Sequence, residues 1–185
     1  SWLAGNHDSA VIMESVQDSL GIQGRLVELG GWLLVLLDSS VPGQVYGQLA
    51  ASELDFLEHV LESHPDKHII VSLHHQVVPV GSEWIDQYVV RNSDALFTLV
   101  DEYPQVRMIV WGHVHQDFEM QRKGVTLVAT PSTCVQFKPQ CDDFTVDTQM
   151  PGYRWFELND DGTFATGIAR VTDKQYVIDY KSAGY

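Results

Sequence analysis

Gly112-His113-Val114-His115 closes an apolar run, Val106 to Trp111, that reads as a buried strand. The same grammar recurs twice. Ile69 to Leu73 runs into His74-His75, and Trp2-Leu3-Ala4 runs into Gly5-Asn6-His7-Asp8. Three apolar strands that each end in Asn or His constrain the fold strongly. They converge most simply at the carboxyl edge of one parallel sheet, where open α/β proteins place their sites. If the chain stays extended after Gly112, period-2 alternation points His113 and His115 the same way. That arrangement suits a metal ion. Polar loop residues are the plainer reading of any one of these strand ends.

The rest of the chain supplies the connections. Ala10 to Leu20 has apolar residues at helical spacing, with Ser9 as N-cap and Gly21 just past the end. Arg25 to Leu29 and Trp32 to Asp38 read as a hairpin turning at Gly30-Gly31, the second strand apolar enough to be covered on both faces. Ser52 to Glu62 reads as a helix whose Leu54, Phe56, Leu57, Val60 and Leu61 face a core, stopped by Pro65. Strand, helix, strand implies a parallel crossover. Val77 to Val90 reads as a loop-rich insertion of the kind that forms lids or specificity walls. Ser93 to Glu102 is a helix. Phe118 to Gln121 with Val125 to Thr130, and Tyr153 to Leu158 with Thr163 to Val171, are two further hairpins, and the last residues read as a poorly ordered tail.

Charge narrows the partners. A net charge of −14 repels nucleic acid and anionic membrane, so neither is expected as a partner. An anionic small substrate then needs local compensation, which metal cations provide. Cys134 and Cys141 make no disulfide framework, and reduced thiols in a cytoplasmic protein are the expectation, with a pairing across the short gap as the alternative. The opening Ser1-Trp2-Leu3-Ala4 reads as the end of a strand. The expectation is a chain forming the carboxyl-terminal portion, residues 1–185, of one longer domain.

Imidazole nitrogen and amide oxygen are borderline-to-hard ligands suited to Fe, Mn, Zn or Co. Asn6, His74, His113 and His115 are the candidates. Two divalent ions about 3.5–4 Å apart polarise a phosphoryl oxygen and lower the pKa of water. Such a pair also needs a carboxylate bridge, and no Asp here is an obvious one. Asp38 reads as structural. His7, beside Asn6, is placed to bind a phosphoryl oxygen or protonate a leaving alkoxide. Asp8 either fixes the His7 tautomer or carries charge for the helix N-terminus. His75 points away from His74 in an extended chain, to the pocket rim or behind the ligands. His59, His64 and His68 read as surface residues. Trp84 and Tyr88 either stack on a base or pack the insertion on the core. Arg91-Asn92 either meets a phosphate or caps the next helix, the cap being favoured.

Together, Gly5-Asn6-His7-Asp8, His74-His75 and Gly112-His113-Val114-His115 resemble the calcineurin-like metallophosphoesterases, in order and in spacing. Ala129 to Pro139 (Ala-Thr-Pro-Ser-Thr-Cys-Val-Gln-Phe-Lys-Pro), Leu37-Asp38-Ser39, Trp84-Ile85-Asp86-Gln87 and Arg91-Asn92 narrow the resemblance to the bacterial class III 3′,5′-cyclic-AMP phosphodiesterases. The resemblance implies an α/β fold, a β-sandwich of two mixed sheets flanked by helices, here lacking its N-terminal βαβ part. It implies that Asn6, His74 and His113 hold one metal and His115 another, with Fe2+ or Mn2+ as the ions and Zn2+ or Co2+ as alternatives. His7 would act on the phosphate or leaving group, and Asn6, His7 and His115 would meet the substrate. The family's Asp-x-His and Gly-Asp motifs do not occur before Asn6. The expectation is that this chain alone lacks the bridging Asp, is inactive or nearly so, and associates as a dimer or swapped oligomer through an exposed apolar edge.

Three functions remain open at this point: a metal-dependent hydrolase of cyclic AMP, a glycerophosphodiesterase or general phosphodiesterase of the same fold, and a non-catalytic scaffold that binds protein partners.

Overall fold

The computed structural model describes residues 1–22, 24–174 and 180. The expected tail falls largely outside them. Helix α1 spans Ala10–Gln17, with the Ser9 hydroxyl accepting from the Ile12 N–H. Its end is a Schellman turn: Gly21 has φ +64, Ile22 N–H donates to Gln17 O at 2.9 Å and Gly21 N–H to Asp18 O at 3.2 Å. Strands β1 (Leu26–Leu29) and β2 (Trp32–Leu36) form the predicted hairpin around Gly30, φ +62. Helix α2 (Ala51–Ser63) crosses back to β3 (His68–Leu73), which pairs parallel to β2. A four-residue α3 (Glu83–Asp86) and helix α4 (Ser93–Val100) lead to β4 (Val106–Trp111), parallel to β3.

Strands β5 (Phe118–Arg122) and β6 (Val125–Ala129) turn at Lys123-Gly124. Both turn residues have positive φ, as a two-residue primed turn requires. Strand β6 joins the sheet parallel to β4, giving the order β1-β2-β3-β4-β6-β5. Strands β7 (Gly152–Leu158) and β8 (Phe164–Arg170) form a separate two-stranded sheet. The architecture is α/β with a six-stranded mixed sheet and a smaller second sheet.

Alternation along each central strand divides the core in two. Leu33, Val35, Ile69, Val71, Ile109, Trp111, Leu127 and Ala129 face α2, α4 and the 77–90 segment. Trp32, Ile70, Met108, Val110 and Val128 face the other way, against Phe156, Leu158 and Phe164 of the β7–β8 sheet. Trp32 fastens these layers: its indole N–H donates to Asn159 O at 2.8 Å and its ring meets the Phe164 edge at 6.1 Å. Arg154 makes a second fastening, donating to Ala129 O at 2.9 Å and pairing with Asp117.

Several expectations change. Trp2-Leu3-Ala4 forms no strand. No described strand pairs with this segment. The sheet is mixed as expected, because both edge strands run antiparallel to their neighbours. The 77–90 segment is not a detached lid. Val77, Val80, Ile85 and Val90 are buried, and one Asp86 carboxylate accepts from the N–H groups of Val80, Gly81 and Ser82. Helix α1 buries none of its residues, and its Val11 and Ile12 stand exposed.

Trp32→Ala is expected to cost about 3–5 kcal/mol of unfolding free energy, by loss of a filled inter-layer site. Trp32→Phe keeps most of the volume but strands the Asn159 carbonyl, at about 1–3 kcal/mol. Urea denaturation of both variants checks the order.

Candidate metal centre

The parallel strands β2, β3 and β4 end side by side, and their next residues carry the chemistry. The ladder between β3 and β4 continues one rung past the strands, with Gly112 N–H donating to His74 O at 3.1 Å. This rung sets His74 and His113 against each other, with ring centroids 5.1 Å apart. One nitrogen from each of His74, His75 and His113 falls within a 4.8 Å group.

After Gly112 the chain is not extended. His113 and His115 both lie in the left-handed region, at φ +57 and +49. Val114 N–H closes a three-residue turn onto Gly112 O at 2.6 Å. The shared orientation expected from alternation therefore does not apply. Val114 is driven into the core between the two histidines, and its burial helps to offset strain of about 1–3 kcal/mol at each. Unlike His74 and His113, His115 stands outside the three-histidine group. Its Nδ1 donates to Val135 O at 2.9 Å, and its ring stacks on Phe137 at 4.2 Å. With the proton fixed on Nδ1, the Nε2 lone pair is the one offered to a ligand.

Asn6 reaches the same place without a strand to carry it. Its Oδ1 accepts from His74 Nε2 at 2.9 Å. The loop is drawn tight by Asp8, whose carboxylate accepts from Gly5 N–H at 2.9 Å. That bond gives Asp8 a loop-closing role. Gly5 must be glycine here, since a Cβ would sit 2.7 Å from the His74 ring. His7 is exposed at the tip of this turn, and a charge on it lowers the pKa of His74, His113 and His115 alike.

These donors fit a metal. His113 is 2% exposed, and neither of its ring nitrogens has a hydrogen-bond partner. A buried polar group left in that state costs about 1–3 kcal/mol, so a strand-end imidazole of this kind is built for a ligand. His74 Nε2 donates to Asn6 Oδ1 at 2.9 Å, and with the ring proton moved to Nδ1 the freed Nε2 lone pair and the amide oxygen can both face a cation instead. Among the described residues no carboxylate joins the group.

Burial holds the rings neutral. His113 is lowered to about 2 by desolvation and then by the neighbouring imidazoles. His74 is lowered to about 3 by desolvation and His75, with Asp8 opposing. His75 is lowered to about 4 by desolvation, against its bond to Val45 O and the Asp38 charge. Neutral imidazole is the form that ligates.

Other expected residues take structural parts. Asn92 holds the N-cap position of α4 without capping it. It instead clamps the Leu49 backbone, accepting from its N–H at 2.9 Å and donating to its carbonyl at 2.8 Å. Arg91 lies over the Tyr46 ring at 3.3 Å. Trp84 packs on Phe137 and Phe144, whereas Tyr88 turns its edge toward His113 at 6.3 Å. Asp38 accepts from the Ser40 N–H and hydroxyl. His59 is exposed, whereas His64 is half-buried and hydrogen-bonded to Val60 O at 2.8 Å. His68 packs against Trp32. Val135 and Phe137 were not legible as supports for His115, because the link is a backbone carbonyl and a ring reached across the fold.

In the metal-free protein these shifts make stability pH-dependent. Below pH 6.5 the unfolded chain takes up protons that the folded rings refuse until about pH 4, 3 and 2 for His75, His74 and His113. Stability is therefore full above pH 6.5 and falls from there toward pH 4, by up to about 1.4 kcal/mol per pH unit for each ring. Urea midpoints at pH 7 and pH 5 read the loss, and equal midpoints would contradict it. Separately, Gly5→Ala is expected to weaken Mn2+ binding about tenfold by pushing the loop off His74, as titration calorimetry would show.

No family model matches the chain. Individual relatives do. It is 47% identical over its whole length to a Pseudomonas aeruginosa protein named 3′,5′-cyclic adenosine monophosphate phosphodiesterase CpdA, covering 68% of that protein. It is 42% identical, again over its whole length and 68% of the relative, to the protein of the same name from Escherichia coli K12. A Nostoc protein named 3′,5′-cyclic-nucleotide phosphodiesterase is 42% identical over 92% of this chain and 64% of its own length. Among solved structures, a dimetal phosphatase from Danio rerio superposes over 60% of this chain and 35% of its own, with a TM-score of 0.44 and 17% identity, a likeness too distant to add weight. At the level of sequence the chain belongs to the CpdA family of 3′,5′-cyclic-nucleotide phosphodiesterases.

Proposed function

We propose that this chain carries part of the active centre of a metal-dependent hydrolase that opens 3′,5′-cyclic AMP to 5′-AMP. The observation that carries the reading is the buried, unpartnered His113 imidazole beside His74 and Asn6 at the carboxyl edge of the sheet. The names of relatives that align along the whole chain supply the substrate.

Asn6, His74 and His113 would hold one divalent ion, and His115, through Nε2, a second. Mixed nitrogen and oxygen donors suit Fe2+ or Mn2+, with Zn2+ or Co2+ also accommodated. Such ions supply Lewis acidity toward the phosphoryl oxygens and a lowered pKa for water. Neutral donors alone do not balance two dications, and the described residues add no carboxylate to the group. We therefore infer that bridging carboxylates come from outside this sequence, and that residues 1–185 are the carboxyl-terminal portion of a single catalytic domain.

Hydrolysis adds water across the P–O3′ bond. Oxygen joins phosphorus, and the departing 3′-oxygen takes a proton. His7, exposed at the tip of the Gly5–Asp8 turn, would give that proton. Asn6 and His115 would flank the phosphate. The net charge of −14 makes the cations necessary for an anionic substrate. Cys134 and Cys141, both free, fit a cytoplasmic setting, and no described helix is long and apolar enough to cross a membrane. The exposed Val11 and Ile12 on α1 and Leu29 on the edge strand β1 support self-association of this chain.

The test is metal content and 5′-AMP formation, on this chain and on one extended at its amino terminus. The extended protein should bind two ions and make 5′-AMP, whereas this chain should hold at most the one ion at Asn6, His74 and His113 and make no 5′-AMP. His7→Ala in the extended protein should lower kcat by about 10²–10⁴ and keep both metals. Two bound ions with cyclic AMP left intact would move the substrate to another phosphodiester. Absence of metal from both would favour a non-catalytic scaffold. Light scattering at high concentration should show this chain as a dimer or larger, and a monodisperse monomer would contradict association.

A further inference from the structure

Ser39, His75 and the 45–47 backbone form a buried assembly that the proposed chemistry does not use. His75 has no exposed surface, nor has Ser39. The Ser39 hydroxyl lies 2.8 Å from His75 Nδ1 and also accepts from the His75 N–H at 3.3 Å. On the other side of the ring, Nε2 lies 3.1 Å from Val45 O. A carbonyl only accepts, so Nε2 carries the proton. The Ser39 oxygen already accepts from the His75 N–H, and its own proton is free to point at Nδ1, so the Ser39 O–H donates and Nδ1 accepts. Both nitrogens are thus spoken for. Gly47 lies so close behind the ring that a Cβ would sit 2.6 Å from it. The ring is pinned edge-on to His74 at 4.9 Å and tilted on His113 at 4.8 Å.

Distance alone would make His75 a ligand, since it shares the 4.8 Å group with His74 and His113. We propose that Ser39 is a positioning residue that locks His75 in the Nε2–H form, keeping its nitrogens off the metal and making its ring the wall that orients His74 and His113. The three buried imidazoles are then not equivalent. His74 and His113 present lone pairs to an ion, and the Ser39 hydroxyl decides that His75 does not. The metal half of this inference rests on the function proposed above, whereas the tautomer half does not.

Imidazole nitrogen NMR on this chain, metal-free and then with Zn2+ alone, tests both halves. In the metal-free protein His75 should show a protonated Nε2 and an unprotonated Nδ1. The opposite tautomer would overturn the proposal. On adding Zn2+ the His74 and His113 nitrogens should move to ligand-like shifts with His75 unchanged, and a His75 nitrogen that moves with them would also overturn it. If no imidazole responds to Zn2+, the metal reading fails while the tautomer still decides whether Ser39 locks the ring.

In Ser39→Ala the freed Nδ1 should respond to Zn2+, and Ser39→Thr, which keeps the hydroxyl, should restore the wild-type pattern. A Ser39→Ala spectrum identical to wild type, with and without Zn2+, would reduce Ser39 to packing. If Ser39→Ala does not fold, the wild-type tautomer and its indifference to Zn2+ still settle the matter.

Discussion

The hydrogen bond from Gly112 N–H to the His74 carbonyl is the last rung of the β3–β4 ladder, and the centre depends on it. Two parallel strands deliver their ends to the same edge, so one backbone bond fixes two imidazoles at once. Everything else at the site is added to that pair. The Gly5–Asp8 turn brings Asn6 from one side. The Ser39 strand end brings a hydroxyl behind His75. The Val135 carbonyl and the Phe137 ring hold His115.

The centre is assembled at the expense of local stability. Two non-glycine residues sit at positive φ, three imidazoles are held neutral by burial, and one has no hydrogen-bond partner. The sheet beneath tolerates this because its core is apolar on both faces. Trp32, Ile70 and Met108 pack against the β7–β8 hairpin, while Leu33, Ile69 and Ile109 pack against the helices. A ligand that satisfies His113 recovers part of that cost, which couples binding to folding.

Much of this was legible in the sequence because strand patterning carries it. The runs Val106 to Trp111 and His68 to Leu73 appear at the expected bounds, and of the residues after them His74 and His113 come together while His115 stands apart. The hairpins at Gly30 and Lys123-Gly124 announce themselves by residues that accept positive φ. What was not legible depends on long-range backbone partners. Asn92 reads as a cap, yet its amide is taken by Leu49. His75 reads as lying at the rim or behind the ligands, and what the pattern does not show is its partner, Ser39, which the parallel register that pairs Leu36 with Ser72 carries to it. Trp2 to Ala4 reads as a strand, but a strand exists only with a partner, and no described strand pairs with it.

The most direct test of the account is anomalous scattering from crystals of the extended protein grown with Mn2+. A manganese peak is expected at coordination distance from Asn6, His74 and His113, a second beside His115 Nε2, and none on His75. Crystals in which that edge of the sheet holds no manganese, or in which His75 is a ligand, would contradict it.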